Sequence, residues 1–310
     1  MNTSAQRHVE PDRTGPEPAA APATVGAANG HAARQTPRKP NLIIAGAQKS
    51  GTTWLHRALN AHDAFFMSER KEIDFFNKPA RQQDPDAIDA YLAHFVNARD
   101  EKYVAESTPH YLWVREGARA FDTALAPTTS AEAIARMLDD PRILLVLRDP
   151  ASRAVSAFHH HFAMGRIDEA GRIDETDPAL GIVDIGHYAR HVPYWHGAFG
   201  SRLGVYLYDD LKADPRSFLS KLFGDLDVAD DSERIADELA HRRINSKQSI
   251  ISRNEVRSNC SFPRVTPAQI EWLIERYEED IRFVETLLDR DLSSWRDAKA
   301  IEGSIVYRPG

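Results

Sequence analysis

The sequence predicts an α/β fold: a mainly parallel central sheet with helices on both faces, forming a three-layer sandwich. Two observations predict it. Short apolar runs with the character of buried strands alternate with longer amphipathic stretches of helical period. The two segments richest in chemistry each follow such a strand and open a helix, and the carboxyl ends of the strands are where sheets of this kind bind ligands.

Residues 1–40 are rich in Ala, Pro and Gly, with no apolar period. Such a segment buries too little surface to offset its ordering entropy, so a disordered tail is expected, followed by a single domain over 41–310. Asn41–Gly46 reads as the first strand and Thr53–Ala61 as the first helix, with Trp54, Leu55, Ala58 and Leu59 on its apolar face. Asp86–Phe95 reads as a helix and Lys102–Glu106 as a strand. Ala131–Leu138 is helical in pattern, Arg142–Arg148 is the clearest central strand, and Ser152–Ala163 is the helix after it. A polar loop with a short internal echo covers about 164–185 and reads as a mobile surface segment or a cover over an acceptor. A strand at Leu203–Tyr208, a helix at Pro215–Phe223 and one long amphipathic helix over about Pro267–Arg290 complete the pattern.

Composition narrows the function classes. A chain of 310 residues with 42% hydrophobic and 27% charged residues can bury a large core. The net charge of −7 gives no global reason to bind nucleic acid or an anionic membrane, so any anionic ligand requires a local basic pocket. The lone Cys260 allows no internal disulfide, and no cysteine cluster is present to hold a metal. Neither a signal-peptide pattern nor a long apolar span is present, and a cytoplasmic location is expected.

The first chemical segment is Gly46-Ala47-Gln48-Lys49-Ser50-Gly51-Thr52-Thr53, between strand and helix. A glycine-containing turn lets backbone N–H groups approach an anion, and the helix N-terminus adds favourable partial charge. A triphosphate-binding loop of the form GxxxxGK[ST] places lysine after the second glycine. Here that position is Thr52 and the lysine precedes the glycine, at Lys49. From there a lysine can reach the bridging oxygen of a leaving group, with no demand for magnesium. The second segment, Arg148-Asp149-Pro150-Ala151-Ser152-Arg153-Ala154-Val155-Ser156, ends a strand in a planar, always-charged donor and sets a hydroxyl on the following helix.

Together these segments resemble the PAPS-dependent sulfotransferase family (PAPS is 3′-phosphoadenosine 5′-phosphosulfate), most closely the heparan-sulfate-type branch and its bacterial relatives. The resemblance rests on Gln48-Lys49-Ser50-Gly51-Thr52-Thr53-Trp54-Leu55 and on Arg148 followed eight residues later by Ser156, and spans about residues 41–253 in patches. It implies a P-loop-like fold, PAPS as co-substrate and no metal. Gln48, Lys49, Ser50, Gly51, Thr52, Thr53 and Trp54 would then hold the 5′ end of the donor, and Arg148 and Ser156 its 3′-phosphate. Lys71-Glu72-Ile73-Asp74-Phe75-Phe76 is similar to the segment that carries the general base in that branch, which implies Glu72 as base. An attacking hydroxyl or amine must lose its proton, and shielding by Phe75 and Phe76 would raise the Glu72 pKa. Other branches use histidine, which keeps His110 open as the base. His110 lies in Glu106-Ser107-Thr108-Pro109-His110-Tyr111, where Ser107 replaces the family's lysine and speaks against a strongly anionic acceptor. Gly186-His187-Tyr188 and Trp195 are similar to a family segment that implies Tyr188 on the nucleotide side; Lys247 and Arg253 lie where the family places a C-terminal donor-binding loop. The adjacent His159, His160 and His161 point in different directions on a helix and make a poor metal site. The implied acceptor is a small molecule or saccharide. A P-loop kinase or nucleotidase and a non-catalytic nucleotide-binding scaffold stay open as alternatives.

Overall fold

Alternation along the strands decides the architecture. In a computed structural model that describes residues 37–114, 129–240 and 262–304, five strands form one sheet in the order β2-β3-β1-β4-β5. They are β1 (Leu42–Gly46), β2 (Phe65–Met67), β3 (Tyr103–Ser107), β4 (Arg142–Leu147) and β5 (Leu203–Leu207), and every pairing is parallel. Parallel neighbours require crossovers, which leaves both faces to be covered.

Successive residues of a strand point to opposite faces, and each face has its own core. Leu42 and Ile44 of β1 and Leu144 and Val146 of β4 join one cluster. Against them pack α1 (Thr52–Asn60), α6 (Tyr208–Ala213), α7 (Pro215–Asp225) and the helical residues 232–240, α8. Ile43, Ala45, Ile143, Leu145 and Leu147 face the other cluster. There the sheet is covered by α2 (Pro85–Ala93), α3 (Ser130–Met137), α4 (Pro150–Ala163), α5 (Tyr188–Phe199), α9 (Pro267–Arg276) and α10 (Glu278–Leu288). A last helix, α11 (Ala298–Ser304), packs on α9 and α4. The sheet is thus filled on both sides, and each fully buried Ile or Leu contributes about 1.5–3 kcal/mol. This is the expected three-layer α/β fold.

Local chemistry sets the helix starts. Asp84, Thr129, Asp149, Asp214 and Thr266 cap α2, α3, α4, α7 and α9 through their side chains, and all but α3 carry proline in the first turn. The expected long C-terminal helix divides at Tyr277, whose hydroxyl donates to the Val183 carbonyl (2.6 Å) while its ring fills the space where a Cβ on Gly186 would stand.

The polar segment 164–185 is held at several points. Ile167, Ile173 and Ile182 are buried, Arg153 donates to the Ile182 carbonyl, and Gln269 donates to Asp174 at 2.6 Å. Before β1, Arg38 donates to the Glu101 carbonyl at 3.0 Å. Residues 1–36, Lys247, Arg253 and Cys260 lie outside the described residues.

A buried polar knot stiffens the carboxyl edge of the sheet. Glu106 is fully buried and accepts from Tyr91 (2.9 Å), Tyr111 (3.1 Å) and Thr108 (2.8 Å). The Tyr111 hydroxyl also accepts from the N–H groups of Phe75 (3.1 Å) and Phe76 (3.4 Å). Burial raises the Glu106 pKa to about 7 against the pull of these donors. Tyr111→Phe deprives Glu106 of a donor and two buried N–H groups of their acceptor. It should lower unfolding free energy by about 2–4 kcal/mol, read as the midpoint shift in urea.

Candidate active site

The site assembles where four strands end together. β1 leads into the turn Ala47–Gly51, where the Ala47 N–H still bonds to the Val146 carbonyl (2.9 Å). Beyond β2, the Glu72 N–H reaches the Ser107 carbonyl at 2.9 Å, while the Thr108 N–H reaches Ile44 at 3.1 Å. The turn Pro109–Leu112 crosses so close to β1 that a Cβ on Gly46 would stand 2.6 Å from Leu112. Glycine is required there, and the approach brings His110 to the loop: Gln48 Nε2 and His110 Nε2 are 3.1 Å apart.

The loop has the features of an anion cradle. Lys49 and Gly51 take φ of +69° and +85°, and a Cβ on Gly51 would meet Leu211 and Tyr208 at 2.9 Å. Unlike the five capped helices, α1 starts from a glycine with no side-chain cap and no acidic residue in its first turn. The N–H groups of Gly51, Thr52 and Thr53 have no partner among the described residues. Gln48 Oε1 and Ser50 Oγ are buried and unpartnered as well. Amides, hydroxyls and partial positive charge therefore converge, which suits a phosphate or sulfate group. Thr52 is buried, Thr53 exposed, and Trp54 partly buried on the apolar face of α1.

Arg148 completes the cradle from β4. Its Nη1 donates to the Lys49 carbonyl (3.1 Å), and its guanidinium stands 5.0 Å from the centre of the Tyr208 ring. Tyr208, at the start of α6, has no counterpart in the sequence expectations. Ser156 lies half-buried on α4, one turn before His160 and on the same helix face. The N-terminus of α4 is closed by Asp149, which accepts from Ala151 and Ser152, so anion binding on this side falls to side chains. Tyr188 differs from its expected place. It is fully buried and donates to the Arg148 carbonyl at 2.8 Å, so it positions Arg148 and presents no surface to a nucleotide.

Electrostatics group the reactive candidates. Burial lowers the Lys49 pKa, and nearby Arg148 lowers it further while Glu72 opposes. Burial alone would raise the Glu72 pKa. The charge and 2.6 Å hydrogen bond of Lys71, with His110 and His160, outweigh it and hold the carboxyl below its ordinary value. This corrects the expectation of aromatic shielding. Phe75 and Phe76 turn inward onto Tyr91, whereas the Glu72 side chain stays 45% exposed. Burial also lowers the His110 pKa, against the pull of Glu72.

His160 and His161 lie at the site, although the sequence reading set the histidine run aside as a poor metal site and preferred His110. His160 is pushed down to about 4, by burial first and then by Lys49. The i, i+4 spacing from Ser156 was the available signal. His161 lines a cavity of about 480 Å³ with His110, Asp74, Phe76 and Trp113. Among the described residues no group of three or more His, Cys, Asp or Glu could hold a metal ion, and no helix is long and apolar enough to cross a membrane.

A parallel sheet with an uncapped glycine loop, a strand-end arginine and an adjoining cavity defines an α/β protein with an anion-binding site. The sulfotransferase domain model matches residues 39–264, and the chain belongs to that family. The chain is 25% identical to a sulfotransferase from Alicyclobacillus acidocaldarius of known crystal structure, with a TM-score of 0.62 covering 84% of this chain and 100% of that one. It is 26% identical over 232 residues to the luciferin sulfotransferase of Photinus pyralis, covering 70% of this chain and 61% of the relative. It is 32% identical over 133 residues to the human bifunctional heparan sulfate N-deacetylase/N-sulfotransferase 2, covering 41% of this chain and 14% of the relative. The chain thus spans less than two thirds of the length of either curated relative.

Proposed function

We propose that the protein transfers a sulfuryl group from PAPS to a hydroxyl or amine of a small-molecule or saccharide acceptor. The observation that carries this reading is the loop Gln48–Thr53. Its unpartnered N–H groups and buried polar side chains form an anion cradle, and its lysine lies before the glycine, next to the candidate base. The donor set fits the co-substrate at both ends, with the loop for the 5′ side and Arg148 and Ser156 for a 3′-phosphate.

The chain's residues then have separable tasks. Gln48, Ser50, Gly51, Thr52 and Thr53 hold the 5′-phosphate, with Trp54 on the adjoining helix face. Arg148, fixed by Tyr188, holds the 3′-phosphate with Ser156, a contact that ATP and adenosine phosphosulfate cannot make. Glu72 accepts the proton of the attacking hydroxyl or amine as the new bond to sulfur forms. Lys49 stabilises the charge left on the 5′-phosphate oxygen as the old sulfur–oxygen bond breaks. His110, held by Gln48, lies between the donor loop and the cavity and helps to place the acceptor. Catalysis on this reading is positioning and electrostatics.

The two curated relatives are named for a luciferin and for heparan sulfate, one small molecule and one saccharide. The assay is labelled PAPS without added metal and a panel of hydroxylated and amino acceptors. Labelled product should form with one equivalent of 3′-phosphoadenosine 5′-phosphate (PAP). An absolute magnesium requirement, or nucleotide binding with no transfer to any acceptor, contradicts the reading.

A further inference from the structure

The acceptor side carries its own selectivity. The cavity of about 480 Å³ has the size of a small-molecule site, and His110 joins it to the donor loop through the contact with Gln48. One part of its lining is flat and apolar. Phe76 and Leu180 contribute hydrocarbon, and Trp113 is tied through Nε1 to Asp184, which leaves its ring rather than its N–H for a ligand. Asp74 also lines the cavity and is engaged by Asn77 Nδ2 at 2.8 Å.

The lining also carries cationic donors. Lys78 and Arg166 are exposed, and neither pairs with a carboxylate among the described residues. His161 is only 2% exposed, and its Nε2 is buried without a partner. Its Nδ1 lies 3.5 Å from Arg166 Nη1. A guanidinium only donates, so Nδ1 is the acceptor and Nε2 carries the hydrogen. Two cations lining one cavity, neither held by a carboxylate among the described residues, call for an anionic ligand group.

We infer that Arg166 and Lys78 form an anion subsite for the acceptor, and that the acceptor is a small hydroxylated molecule with a flat apolar body and a single carboxylate. Resting on the sulfotransfer reading, the inference adds the acceptor class. Arg166, backed by His161 Nδ1, presents a planar fork to the carboxylate, Lys78 adds charge, and Trp113 takes the flat body. A single charge fits because Lys78 and Arg166 are offset by Asp74 within the same cavity. A polyanion would meet that carboxylate, and Ser107 stands where the family's lysine would assist it.

The test compares 4-hydroxyphenylpropanoate with its amide, which shares the hydroxyl, the ring and the size but lacks the charge. KM for each is measured with PAPS in the unaltered chain and in Arg166→Ala, whose altered side chain is exposed. The acid should have a KM about tenfold below that of the amide, and Arg166→Ala should shrink this ratio to about twofold or less, as loss of a charge-assisted pair implies. Calorimetric titration of the PAP-loaded protein with each compound repeats the comparison without turnover. Equal KM values, failure to bind or sulfate either compound, or an unaltered ratio in Arg166→Ala overturns the inference. PAP titration alone reports on the donor reading, so a failure there is told apart from a failure of the anion subsite.

Discussion

Glu72→Gln is expected to lower kcat by about 10²–10⁴-fold, the usual contribution of a positioned general base, with little change in PAP affinity. The isosteric amide keeps the turn and the neighbouring contacts but cannot take the acceptor's proton. The pH profile follows with a definite sign. Burial would raise the Glu72 pKa, but Lys71 holds it below the ordinary carboxylate value. The base is therefore ionised throughout the neutral range, and activity from this group is lost only as the pH falls through a value below the ordinary carboxylate range. Lys71→Ala should move that acid limb upward. Full turnover in Glu72→Gln, with its loss in His110→Ala, would transfer the role of base to His110.

Lys49→Ala is expected to lower kcat by about 10²–10³-fold, the typical loss when a preorganised group facing developing charge is removed. Lys49 acts as a cation, and burial beside Arg148 lowers its pKa. Its protonated form is lost as the pH rises through that value, so the alkaline limb of kcat should lie below the ordinary lysine value of about 10.4. Lys49→Arg should push this limb beyond the accessible range, because a guanidinium does not titrate there. An alkaline limb unchanged in Lys49→Arg would assign it to another group.

The parts of the fold most legible in the sequence are those where local pattern and burial agree. The runs Leu42–Gly46 and Arg142–Leu147 are nearly all apolar because both faces of a parallel sheet are covered, and their boundaries fall within a residue or so of expectation. β2 was not legible: three residues, Phe65–Met67, are too short to show a period. α5 was hidden by Pro193 inside it, and the break at Tyr277 comes from distant partners, Val183 and Gly186, across an unbroken helical pattern.

The site divides in the same way. The loop and Arg148 are contiguous motifs and could be read directly. The cavity brings together Lys78, Trp113 and the His161–Arg166 turn from three separate segments, a juxtaposition no local pattern encodes. The Glu72 environment was misjudged because sequence proximity to Phe75 and Phe76 says nothing about direction. A positive φ at Glu72 and again at Asp74 separates the carboxylate from the aromatic pair.

Recognition of a donor phosphorylated at both ends is measured by calorimetric titration with PAP against ADP. ADP carries the 5′-phosphates without the 3′-phosphate. PAP should bind without added metal, at least about tenfold tighter than ADP, with most of that preference lost in Arg148→Ala. No binding of PAP, or equal binding of PAP and ADP, would contradict it.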